Sequence, residues 1–216
     1  MAKVVRFTSL LGALLTVTII GATTTVQAAP PLLEIRVTDA QASLEESAVA
    51  QVAAVSGVAR VERYLIIPGG EDYAVIGVEP DAALRVISEG KVYSAARIEA
   101  GRGLRPGDAG QRVAVVGMPS GMGGMGGMAG MEIPSTIGSS FEVKAGLRAR
   151  LVGRFTVSRA GKEHFIFLPL DVAQRAYDRQ GRVTHLYVSL APAANLEQVK
   201  RELEAVLGAK ATVVVR

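Results

Sequence analysis

Asn195-Leu196-Glu197-Gln198-Val199-Lys200-Arg201-Glu202-Leu203-Glu204-Ala205-Val206-Leu207-Gly208 sets the architecture expected of this chain. Leu196, Val199, Leu203, Val206 and Leu207 recur at helical spacing and make one apolar stripe. Asn195 stands where an N-cap is wanted, and Gly208 where the helix must stop. Val183-Thr184-His185-Leu186-Tyr187-Val188-Ser189-Leu190 precedes this helix as a strand, and Ala211-Thr212-Val213-Val214-Val215 follows it as another. A one-sided helix between two strands must bury its stripe on a sheet.

Outward from that unit, Asp171-Val172-Ala173-Gln174 fits a capping box for a helix reaching about Arg179 and closed by Gly181. At the other end of the chain, Leu33-Glu34-Ile35-Arg36-Val37 alternates as a strand. Ser43-Leu44-Glu45-Glu46 fits a second capping box. The helix after it runs to about Val55, buries Leu44, Ala48, Val49, Val52 and Val55, and ends at Gly57. Val58 to Ile67 and Tyr73 to Val78 are strands joined by the turn Pro68-Gly69-Gly70-Glu71. The middle is looser. Ala82 to Ile87 reads as a short helix, Gly101 to Asp108 as turns, and Arg112 to Gly117 as a buried strand. Ser140 to Lys144, Leu147 to Ser158 and His164 to Leu168 read as further strands.

The expected fold class is α+β. Residues 30–79 and 169–216 would pair into an α/β sandwich, a porter-like lobe. Residues 80–168 would form an inserted β-rich lobe that carries a Met/Gly loop at 117–135.

Phe7 to Val26 is twenty residues without a charge, preceded by Lys3 and Arg6 and followed by Pro30-Pro31. Residues 1–29 fit a signal peptide, with Val26-Gln27-Ala28 as a small-residue cleavage site. They also fit a single transmembrane anchor, which needs about 20 mainly apolar residues. Both readings export everything from about Pro30 onward. Net charge is +4, and Lys3 and Arg6 supply two of it, so the remainder is near +2. Basic residues are scattered, aromatics are few and Trp is absent, so no nucleic-acid partner is expected. Cys is absent too, which excludes disulfides, thiol catalysis and thiolate metal sites.

The order of these segments resembles the periplasmic core domain of the MacB/FtsX/LolC-type ABC transporter permeases. Val55-Ser56-Gly57-Val58-Ala59-Arg60-Val61 is similar to that family's helix-to-strand turn, with Ser56 in place of its usual Pro. Gly101-Arg102-Gly103-Leu104 and Val113-Ala114-Val115-Val116-Gly117 resemble its "GRxL…vvvlG" segment. Ile137 to Val143, Leu151 to Val157, Phe167 to Gln174 and the last strand–helix–strand are similar to the segments that follow. The likeness covers about residues 33–216. It implies a two-lobed extracytoplasmic domain that acts in a dimer and transmits cytoplasmic ATP hydrolysis to periplasmic substrates or partners. The implied partners are an ABC ATPase, multi-span permease subunits and a periplasmic adaptor, at the periplasmic side of the inner membrane. The family continues into three more membrane helices beyond the position of Arg216. This chain also holds no G-x-x-x-x-G-K-[ST] phosphate loop. It is therefore expected to act as a fragment, as a subunit completed by others, or as a reused binding module.

Met118, Met122, Met125, Met128 and Met131 are all the methionines besides Met1. Thioethers are neutral soft donors suited to Cu(I), and Gly spacers would let them converge. The rival reading to a transporter domain is therefore a periplasmic Cu(I)/Ag(I)-binding protein. Met side chains also make adaptable apolar contacts, and a Gly-rich tract also serves as a plain linker. Gly121-Met122-Gly123-Gly124-Met125-Gly126 matches a dinucleotide fingerprint in letters. More Gly and then Pro134 follow where a helix must open, so the nucleotide reading fails.

His164 and His185 read as surface or half-buried imidazoles that could supplement a Met site. Asp108 and Glu132 read as solvated turn carboxylates. Arg102, Arg105, Arg148, Arg150 and Arg154 cluster in the middle segment as scattered charge or as a docking face for an acidic partner. No nucleophile–base–orienter set can be assembled, so no enzymatic activity is expected.

Overall fold

Alternating and all-apolar runs build one broad sheet, and the amphipathic segments pack against it. The structure, a computed structural model, describes residues 32–39, 42–69, 73–88, 91–93, 97–119, 133–157 and 164–216. Its strands are β1 (Leu32–Val37), β2 (Leu44–Glu45), β3 (Val58–Pro68), β4 (Tyr73–Val78), β5 (Val86–Ser88), β6 (Lys91–Tyr93) and β7 (Arg97–Gly101), then β8 (Val113–Pro119), β9 (Ser140–Lys144), β10 (Leu147–Val157), β11 (His164–Pro169), β12 (Arg182–Val183), β13 (His185–Leu190) and β14 (Ala211–Val215). Three α-helices occur among the described residues: α1 (Glu46–Ala53), α2 (Leu170–Ala176) and α3 (Leu196–Leu207).

The main sheet has ten strands in the order β14-β1-β13-β3-β4-β11-β8-β10-β7, with β9 added on β10. Most neighbours are antiparallel. The pairs β4–β11 and β8–β10 are parallel. The ladder therefore continues from the N- and C-terminal strands into those of residues 80–168. Two short ribbons, β2–β12 and β5–β6, lie apart from it.

Period-two alternation divides each strand between two faces. On one face Leu33, Ile35, Leu65, Val75, Ile166, Leu168, Leu186 and Val188 join Val49 and Val52 of α1, Val172 and Ala173 of α2, and Val199, Leu203 and Leu207 of α3. Full burial of each such side chain is worth about 1.5–3 kcal/mol. Phe141, Val143, Leu147, Ala149 and Leu151 of the β9–β10 hairpin complete this face. On the other face Tyr64, Ile76, Val78, Val113, Val115, Phe155, Phe165, Phe167 and Tyr187 pack together, with Ala82, Leu84, Ile98 and Leu104 against them. The segment after β4 thus works as a strap over the helix-free side.

Several local expectations are corrected. The Ser43–Glu46 capping box does not form. Leu44 and Glu45 pair with Val183 and Arg182, so the chain is extended until Glu45 caps α1 without a side-chain bond. The Glu46 carboxylate goes instead to Arg63. Ala82 to Ile87 is not a helix: after turns closed by Ala82 N–H to Glu79 O and Arg85 N–H to Ala83 O, the chain enters β5. Packing of Ala82 and Leu84 on the sheet outweighs helix propensity. Helix α2 starts at Leu170 with Pro169 as its cap and ends at Ala176. Asp171 accepts the Gly110 N–H and pairs with Arg175 rather than capping. The strand expected at Val183–Leu190 is broken at Thr184, whose hydroxyl accepts the Ile66 N–H at 2.8 Å. In α3 the expectation holds better, since the Asn195 side chain accepts the Gln198 N–H at 3.1 Å. Val206 alone leaves the stripe, at 40% exposed.

Candidate functional site

The strand registers decide which loops share an end of the sheet. Leu32 starts β1 opposite Ser189, and Ser189 lies opposite Arg60 near the start of β3. Arg216 follows β14 and donates its N–H to Leu32 O at 2.8 Å. The first and last described residues are therefore neighbours at one end. The turn after β4, the start of β8 and the start of α2 lie toward that end too, because β4 and β11 run down to it and β8 runs up from it.

A groove of about 450 Å³ opens there, lined by Arg63, Glu79, Pro80, Asp81, Pro106, Ala109, Leu170, Asp171 and Gln174. Its floor is apolar and its rim charged. Arg63 is fixed by two carboxylates, with Nη2 2.6 Å from Glu79 and Nη1 2.5 Å from Glu46. The bond from Glu79 raises the guanidinium pKa most, and Glu46 adds to it against the effect of burial. Asp81 lies 3.5 Å from Arg60, and both are exposed.

The Gly101-Arg102-Gly103-Leu104 segment closes the same side of the fold. Gly101 has φ of 72° and faces Gly153 across the β7–β10 ladder. A side chain on Gly101 would overlap the Val152 carbonyl, and one on Gly153 the Arg102 carbonyl. Arg102 reaches Asp108 with both terminal nitrogens, at 2.6 and 2.8 Å, and Asp108 also accepts the Arg105 N–H. Asp108 is buried, not solvated as expected from its turn position. The Arg102 hydrogen bond holds its carboxyl below the usual range, against the upward push of burial.

The sequence matches the model of the MacB-like periplasmic core domain over residues 2–206. The chain belongs to this family. MacB-like periplasmic domains are parts of ABC transporter permeases, which work with ATPase subunits, and they are not catalytic. The fold is similar to the extracellular domain of the noncanonic ABC-type transporter YknZ from Gram-positive bacteria. The TM-score is 0.53 at 15% identity, covering 86% of this chain and 99% of that one. The periplasmic region of MacB from Actinobacillus actinomycetemcomitans aligns with a TM-score of 0.49 at 12% identity, covering 86% of this chain and 87% of that one. No curated protein matches the sequence.

Measured against this MacB-like fold, the residues singled out from sequence scatter. Of the five arginines, Arg102 is committed to Asp108, and Arg154 is half-buried with Nε unpaired among the described residues. Arg105, Arg148 and Arg150 are exposed. His164 opens β11 opposite Tyr73. His185 sits on β13 between Arg36 and Tyr64, with Nδ1 3.0 Å from the Thr184 hydroxyl. Burial, and then Arg36, push its pKa down to about 4. The two imidazoles lie on different strands. Met122, Met125, Met128, Met131 and Glu132 lie outside the described residues, as does the side chain of Met118, whose backbone lies in β8 beside Thr156. The apolar segment at residues 7–26 lies outside them as well. Among the described residues no helix is long and apolar enough to cross a membrane, and no group of three or more His, Asp or Glu could hold a metal.

Sequence reading missed the row formed by Glu34, Tyr187 and Glu62 on β1, β13 and β3. All three are buried on the strap side. Glu34 pairs with Arg216 and Glu62 with Arg85, and Arg85 also stacks on the Tyr187 ring. The available signal was two glutamates within apolar strand runs, one on β1 and one on β3, the strands that flank β13.

Proposed function

We propose that this chain is the extracytoplasmic, partner-contacting domain of a MacB/FtsX-like ABC transport system, working in export or envelope transport. The observation that carries the proposal is the hydrogen bond between Arg216 N–H and Leu32 O. A domain held over a membrane by segments at both ends must bring those ends to one face, and here they are adjacent. The family match reaching back to residue 2 supports the apolar segment at 7–26 as the membrane-facing element, retained as an anchor or cleaved with residues 1–29. In this orientation the groove lined by Arg63, Asp81 and Asp171 faces the membrane side, where a multi-span permease subunit is met. The far ends of β8, β10 and β11 face away from it, toward an adaptor or substrate. Residues 30–79 with 169–216 act as the porter-like lobe, and residues 80–168 as the inserted lobe.

The test is photo-crosslinking in the native host from Asp81 and Gln174, with Ala205 on the exposed side of α3 as control. Crosslinks from the groove to a multi-span permease subunit are expected. Equal or absent crosslinking at both places refutes the orientation.

A further inference from the structure

Strand β14 ends the main sheet, and no described strand pairs with its outer side. Its ladder with β1 fixes which backbone groups are already used. Thr38 N–H donates to Lys210 O at 3.2 Å, and Arg216 N–H to Leu32 O at 2.8 Å. In an antiparallel ladder such bonded pairs recur at every second residue. Lys210, Thr212, Val214 and Arg216 therefore turn their N–H and C=O groups toward β1, and Ala211, Val213 and Val215 turn theirs outward. Natural sheets blunt such an edge with Pro, charge or a bulge. At the opposite edge β7 is blunted: its ladder with β10 slips between Arg154 and Phe155, and it runs into Gly101 at φ 72°. In contrast, Ala211-Thr212-Val213-Val214-Val215 holds no charge and no Pro, and its register on β1 is unbroken. Val215 is 42% exposed at this rim. Charge stands at the strand's two ends, Lys210 before it and Arg216 after it, with Arg36 across from Thr212. Arg216 rests on Glu34, whereas Lys210 makes no ion pair among the described residues.

We propose that β14 is a docking edge for an extended segment of a partner protein, an uncharged β-branched run with acidic residues at its ends. The segment adds to the sheet as one more antiparallel strand. Its backbone meets the outward groups of Ala211, Val213 and Val215, which supplies affinity, and its alternate side chains supply choice. On the helix side those side chains extend the face that Ala211 and Val213 begin, and they cover Val215. Its carboxylates meet Lys210 at one end and Arg216 at the other. A second copy of this chain fits the edge less well. Antiparallel self-pairing centred on Val213 uses the same outward groups, but it sets Lys210 against Arg216, like charge against like. The proposal rests on the ladder of β14 alone and needs no assignment of the membrane side.

The test is amide hydrogen exchange on the full chain, read residue by residue by NMR. The probe is a short end-blocked peptide of alternating Val and Thr with Glu at both ends. In the free protein the Thr212 and Val214 amides are expected to exchange slowly and those of Val213 and Val215 fast. Saturating peptide is expected to slow Val213 and Val215 by about tenfold or more. Val215→Pro removes one outward donor, takes no bond from β1 and suits an edge strand, so it should fold and weaken peptide binding by about tenfold. The same peptide with Lys at both ends should bind about threefold more weakly, or worse. Val213 and Val215 amides that are already slow in the free chain, or that stay fast with peptide, overturn the proposal. So does an unchanged affinity in Val215→Pro, or equal affinity for the two peptides. Protection that appears without peptide and grows with protein concentration makes a second copy the occupant and overturns it too. Failure here leaves the transport reading standing, and failure of the groove crosslinks leaves this edge unaffected.

Discussion

Lowering the pH from 8 to 4.5 tests the environment of His185. Its imidazole is half-buried on β13, next to Arg36 across the ladder and with Nδ1 on the Thr184 hydroxyl. Burial first and Arg36 second hold its pKa near 4, against 6.5 in an ordinary setting. The folded state therefore binds the proton more weakly than the unfolded state. Stability is full above pH 6.5 and is lost as pH falls toward 4, where the folded imidazole finally charges too. By pH 4.5 this one group should remove about 2.5 kcal/mol, since each unit of pKa difference is worth about 1.36 kcal/mol. For a chain of this size that is about 5–10 °C in Tm. The assay is urea unfolding of the native chain and of His185→Gln across that range. Gln keeps a polar side chain for Thr184 and cannot take up a proton. The native protein should lose about 2.5 kcal/mol more than the variant between pH 8 and 4.5. Parallel stability curves, or an NMR titration of His185 with a midpoint near 6.5, would refute the reasoning.

Other outcomes follow from the same geometry. Asp108→Asn should cost about 1–2 kcal/mol at pH 7, by weakening the Arg102 fork and leaving that guanidinium short of its counter-charge. Because Arg102 lowers the Asp108 pKa, the native advantage should shrink as pH falls below about 3.8, and a gap that does not change with pH there would contradict the ion-pair account. Gly153→Ala should cost about 3 kcal/mol or more, seen as a Tm drop of at least about 6 °C, because its methyl group meets the Arg102 backbone; a shift under about 1 °C would show that β7 and β10 can part at no cost. Titration of the purified protein with Cu(I) should reveal no affinity tighter than micromolar at Met118, Met122, Met125, Met128 and Met131. Tighter binding, abolished by Met→Leu changes there, would replace the partner-contact reading with the metal reading.

How much was legible in the sequence depended on whether a segment's partners were local. Tyr73–Val78, Ser140–Lys144 and Ala211–Val215 form strands at the expected bounds because β-branched and aromatic alternation is written in each. Helix α3 was legible for the same reason, with its cap in Asn195 and its stripe in Val199, Leu203 and Leu207. Both failed capping boxes lost to distant partners. Glu46 is drawn to Arg63 seventeen positions on, and Asp171 to the Gly110 backbone sixty-one positions back. Ala82 and Leu84 are held instead on the apolar face of the sheet opposite the helices, which nothing in a local window announces. Alternation of Glu34 with Leu33 and Ile35 marks a strand but says nothing of what covers the glutamate face. Its burial depends on Arg216, 182 residues away in sequence. The GRxL resemblance did find a real junction, but its physical content, two backbones meeting at Gly101 and Gly153, needed coordinates.

The central claim is that the folded body lies on the periplasmic side of a membrane, and the absence of native cysteine makes it directly testable. Ala205→Cys on the exposed side of α3 supplies a single thiol. Cells with a permeabilised outer membrane are treated with a membrane-impermeant maleimide before and after lysis. The account predicts equal labelling in both samples; labelling only after lysis would contradict it.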